Sequence, residues 1–147
     1  MKPANILQIF FISFSLLACN SNTTMKENVN ANETNETLEI IFARKSVRTY
    51  QDREVEKEKI DTLLRAAMAA PSGKDVRPWH FIVVQDRTIL DSLAAQLPYG
   101  KMLAKTNQAI IVCGDSSQSS YWYLDCAIAS QNILLAAESM GLGAVYT

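Results

Sequence analysis

Five consecutive positions, Arg44-Lys45-Ser46-Val47-Arg48, put two guanidinium groups, an ammonium and a hydroxyl in one short stretch. Such a set grips phosphate oxygens, because arginine meets them with paired, charge-assisted hydrogen bonds and serine adds a neutral donor. The same residues also suit a solvated helix end, where cations face the negative pole of the helix dipole. A second stretch, Ala70-Pro71-Ser72-Gly73-Lys74-Asp75, joins a helix stop to a tight polar turn. Pro71 has no amide proton to continue a helix, and Ser72 and Gly73 let the backbone turn sharply and expose its amides. A loop of this kind presents free amides and a lysine to a planar or anionic ligand.

These residues bind; they do not form an acid–base pair or a metal site. His80 lies in an apolar run and reads as a packed, hydrogen-bonded residue, with no nucleophile or partner acid at usable spacing. Cys113 and Cys126 read as small buried thiols and lack metal-ligand spacing. Trp79 and Trp122 read as core residues. Fourteen Lys and Arg against fifteen Asp and Glu leave a net charge of -1, which gives no electrostatic footprint for nucleic acid.

The elements that must position the two stretches follow from periodicity. Leu38, Ile41 and Phe42 sit at helical spacing just ahead of the basic cluster, and Ile60, Leu63, Leu64, Ala67 and Met68 line one face of a helix that ends at Pro71. Pro78 biases Arg77 towards an extended backbone. Residues 79–84 and 109–113 are apolar, β-branched runs that read as buried strands, with an amphipathic helix through Ile89, Leu90, Leu93 and Leu97 between them. Residues 121–140 form a helix that is apolar nearly all round, which belongs in a core or between subunits. Gly141 is placed to end it in the left-handed conformation, and residues 142–147 begin a third strand.

Ahead of this lies a different kind of sequence. Residues 1–18 have the anatomy of a signal peptide, with Lys2 followed by an apolar run too short to span a bilayer. Leu16-Leu17-Ala18-Cys19 resembles the lipobox of bacterial lipoproteins, which implies a lipidated Cys19 and a protein held on a membrane of the bacterial cell envelope. A plain secretory signal with a chance cysteine is the other reading. Residues 19–37 are rich in Asn, Thr and Glu and read as a flexible tether, leaving residues 38–147 as one domain.

Taken in order, Arg44-Lys45-Ser46-Val47-Arg48-Thr49-Tyr50, Ala70-Pro71-Ser72-Gly73-Lys74, Arg77-Pro78-Trp79-His80-Phe81, Lys101-Met102-Leu103, Ile110-Ile111-Val112-Cys113 and Gly141-Leu142-Gly143-Ala144-Val145 resemble the FMN-dependent nitroreductase family across residues 41–147. The resemblance implies an α+β fold with a mixed sheet between helices and a long buried central helix. It also implies an obligate homodimer with FMN at the subunit interface. Arg44, Lys45, Ser46 and Arg48 would bind the flavin phosphate and ribityl chain. Pro71, Ser72, Gly73 and Asp75 would come from the partner subunit, Lys101 would approach the pyrimidine end of the ring, and Tyr146 and Thr147 would lie near it. The implied activity is reduction of nitroaromatics, quinones or related small acceptors by ping-pong hydride transfer from NADH or NADPH through the flavin, with no catalytic side chain.

Asp75 and Arg77 stand where the family often has Asn and Gln, and are expected to compensate as an ion pair. The family pattern continues past the position of Thr147, so residues 1–147 alone are expected to hold FMN poorly unless more sequence follows; retained flavin absorbance would contradict this. The competing function is a non-catalytic lipoprotein module on a degenerate nitroreductase-like fold.

Overall fold

Asn35 opens the first helix by accepting the Thr37 amide on its side chain at 3.0 Å, a standard N-cap that satisfies one orphan donor. In the computed structural model, which describes residues 35–147, that helix is α1 (Glu36–Ala43). Residues 36 and 37, assigned from sequence to the tether, are therefore helical. Cys19, the signal segment and the rest of the tether lie outside the described residues. α2 (Lys57–Met68) follows, and its buried face carries Ile60, Leu63 and Ala67, the spacing read from the sequence.

β1 (Trp79–Val84) and β2 (Ala109–Gly114) pair antiparallel, with Trp79 opposite Gly114 and Val84 opposite Ala109. Between them run α3 (Arg87–Gln96), capped by the Asp86 carboxylate on the Ile89 amide, and a 3-10 turn at Lys101–Lys105. α4 (Trp122–Ser139) crosses the sheet and packs on α2. Asn132 ties the two helices together by donating to the Ala66 carbonyl at 3.0 Å.

Two apolar clusters hold these layers. On one face of the sheet Trp79 is buried with Ala67, Ala70 and Ala129, and Phe81, Cys126 and Ile133 close around them. The small alanines let α2 and α4 approach closely beneath the indole. On the other face Val84, Leu90 and Leu103 pack with Leu93 and Met102. That second cluster covers only one end of β1. Ile82 and His80 are exposed, so His80 is not the packed residue expected from its apolar neighbours. Trp122 is likewise partly exposed, at the start of α4.

Gly141 has φ +69° and ends α4 as anticipated, with the Leu142 amide returning to the Ala137 carbonyl at 2.8 Å. The strand expected over 142–147 shortens to a single parallel bridge between Ser46 and Ala144. The described sheet therefore has two strands. With the four helices of the described residues it makes an α+β fold.

Candidate functional site: two half-sites at opposite ends of one helix

The bridge places the basic stretch. Ser46 pairs with Ala144, and the Val47 amide donates to the Ala144 carbonyl at 3.0 Å. Gly143 permits this approach, since a Cβ there would lie 2.8 Å from Val47 Cγ1. Arg44, Lys45, Ser46 and Arg48 thus stand beside the chain that leaves the C-terminal end of α4. Among the described residues none of the three cations is paired with a carboxylate. Four residues on, the Thr147 hydroxyl donates to the Tyr99 carbonyl at 3.2 Å, which brings Tyr146 and Thr147 next to the turn leading into exposed Lys101.

The Pro71 loop is elsewhere. Gly73 packs on Tyr121, where an added Cβ would lie 2.8 Å from the ring, and its amide donates to Asp125 Oδ1 at 2.9 Å. Both partners belong to the N-terminal end of α4. From Asp125 to the last residue of α4, Ser139, the helix rises about 21 Å at 1.5 Å per residue.

The loop is stapled, contrary to the expectation of free amides. Asp75 N–H donates to the Ser72 carbonyl, Val76 N–H to the Gly73 carbonyl, and Arg77 N–H to Ser72 Oγ at 2.9 Å. Among the described residues of the loop, Ser72 and Lys74 alone keep amides without a protein partner. Arg77 is not extended, despite the following proline: Lys74, Asp75 and Arg77 have φ of +57°, +57° and +55°. Side chains rarely adopt that region, at a cost of about 1–3 kcal/mol each. Local bonds offset it, since Arg77 Nε reaches Asp75 Oδ1 at 2.7 Å and its Nη2 reaches Oδ2 at 3.3 Å. This is the anticipated ion pair, and the Asp75 carboxylate pushes the Arg77 guanidinium above its ordinary value.

Asp125 and Ser119 escaped the sequence reading. Asp125 is 3% exposed, inside a helix read as apolar on every side, and Ser119 Oγ approaches its Oδ2 at 3.5 Å. The available signal was a carboxylate in the first turn of an otherwise apolar stretch, well before Glu138 at the far end of the helix. Cys126, next along, hydrogen-bonds the Cys113 carbonyl, and burial pushes its thiol up, away from the reactive thiolate.

The two candidate groups therefore stand at the two ends of α4 in an α+β domain. A sequence profile described as Nitroreductase family matches residues 41–109. A Methanothermobacter thermautotrophicus protein provisionally named NADH dehydrogenase/NAD(P)H nitroreductase is 57% identical over 113 residues, covering 75% of this chain and 59% of its own length. A crystal structure of a Bacteroides thetaiotaomicron protein with the same provisional name matches with TM-score 0.77 at 70% identity, covering 78% of this chain and 68% of that one. An FMN-dependent nitroreductase of Clostridium difficile matches with TM-score 0.68 at 39% identity, covering 72% of this chain and 62% of its own. The chain belongs to the nitroreductase family. It spans about three-fifths of the length of the first curated relative it matches.

Proposed function

We propose that the protein is an FMN-dependent oxidoreductase that takes electrons from NADH or NADPH and reduces small acceptors such as nitroaromatics and quinones. In this reading it works as a homodimer, and each flavin lies between the Arg44–Arg48 stretch of one chain and the Pro71 loop of the other. The observation that carries it is the pairing of three cations without acidic partners at one end of α4 with a rigid polar loop at the other end. Antiparallel association of two α4 helices brings unlike ends together, and α4 has the surface for it: Leu124 and Ile128, at i and i+4, are 48% and 41% exposed. The names of the relatives, which include NAD(P)H and FMN, support the choice of cofactor and reductant.

The residues present fit that cofactor. Arg44, Lys45, Arg48 and Ser46 supply charge-assisted donors for its phosphate. Ser72, Gly73 and the paired Asp75 and Arg77 form a loop whose outward charge is largely neutralised, which suits an anionic ligand. Lys101 adds a cation beside the segment that carries Tyr146 and Thr147. FMN, when bound, supplies the two-electron carrier; the protein binds it, orients it and leaves it accessible. The intact gene product, purified, is expected to be yellow and to bleach with NADH or NADPH. A colourless dimer would favour a binding module instead.

Membrane attachment is a separate proposal resting on the Leu16-Leu17-Ala18-Cys19 pattern. Among the described residues no helix is long and apolar enough to cross a membrane. In this proposal the attachment is a lipid on Cys19. Cells fed a radiolabelled fatty acid are expected to label the wild-type protein and not Cys19→Ala. Equal labelling of the two would refute the anchor.

A further inference from the structure

Asp125 is the one charged side chain that is buried among the described residues, and the flavin reading gives it no role. A carboxylate taken out of water needs donors. The first turn of α4 favours its charge, but the direct donors come from outside the helix: the Gly73 amide at 2.9 Å and the Ser119 hydroxyl, longer, at 3.5 Å. Ser119 Oγ in turn accepts the Tyr121 amide at 3.0 Å, and the Tyr121 ring closes over Gly73. Asp125 therefore ties the middle of the Pro71 loop to α4. With Gly73 held, the Ser72 hydroxyl takes the Arg77 amide and the loop keeps one shape.

The geometry points to Asp125 as a positioning residue for the flavin cradle of the opposite subunit, acting through Gly73 on the loop its own chain lends. The inference rests on the composite flavin site proposed above. It makes a prediction that a general stabilising role does not. In a dimer that joins an Asp125→Ala chain to an Arg44→Ala chain, one cradle carries both defects and the other carries neither.

The test uses differently tagged intact chains, co-expressed and purified through both tags, and titrated with FMN. Each parental homodimer is expected to bind at least about tenfold more weakly than wild type. The mixed dimer should hold about one FMN with wild-type affinity, against about two in the wild-type dimer. Asp125→Asn, which keeps an oxygen for the Gly73 amide, should recover most of the affinity. Wild-type binding by the Asp125→Ala homodimer, a mixed dimer with no tight cradle, or Asn as damaging as Ala would each overturn the inference. If Asp125→Ala yields no dimer, Asp125→Ser, too short to reach the amide, carries the same comparison. A parallel mixture of Arg44→Ala with Gly73→Val separates the two readings. If that mixture recovers one cradle and the Asp125 mixture does not, only the role of Asp125 fails. If neither recovers, or wild type binds no FMN, the composite site itself fails.

Discussion

Replacing Arg44 and Arg48 together with alanine is expected to weaken FMN binding by more than about a hundredfold. Each charge-assisted hydrogen bond to a phosphate is worth about 1.5–3 kcal/mol, so losing both removes roughly 3–6 kcal/mol. The two side chains stand within five positions beside the Ser46–Ala144 bridge and, among the described residues, neither is engaged by a carboxylate whose loss would confuse the result. Quenching of flavin fluorescence reports the change, and riboflavin supplies the control. Lacking the phosphate but keeping the ribityl chain, it should lose far less affinity in the variant than FMN does. An FMN affinity within about threefold of wild type would return the cluster to its other reading, a solvated helix end.

The second large effect concerns assembly. Leu124→Arg with Ile128→Arg should abolish both the dimer and its colour. Each of these side chains is still a little under half exposed, so burying the remainder is worth about 0.7–1.5 kcal/mol, and with two-fold symmetry counting each twice the pair contributes roughly 3–6 kcal/mol to association. The opposite face of the helix, with Asp125, Ala129 and Ala137, is already buried within the chain, so the variant monomer should keep its fold. Loss of flavin from a variant that stays folded would show that one copy cannot build the cradle. A folded monomer that still holds FMN would show that it can.

Much of this architecture was legible in residue patterns. Both strands, α2 and α3 follow the apolar pattern, and the clusters involve residues it marks, such as Ala67, Leu90 and Val84, while Leu63 is buried on α2. The left-handed Gly141 and the Asp75–Arg77 pair were also readable, because each depends on near neighbours. What escaped depends on distant partners or on the detailed path of the loop. The loop amides look free until Ser72 and Asp125 claim them, and Asp125 lies 52 residues from Gly73. Arg77 takes a positive φ against the bias of Pro78 because its amide and guanidinium are both bound within the loop. His80 lies in an apolar run, yet α3 covers only the far end of that strand. The apolar character of α4 likewise could not separate core from interface; only the packing on α2 shows which side remains open.

The central claim is that one flavin is shared by two chains. It is tested most directly by sedimenting the intact gene product with FMN while following both protein absorbance and the visible flavin band. All bound flavin is predicted to travel at the mass of the dimer, with none on the monomer at any dilution. Flavin sedimenting with a single chain would contradict the account.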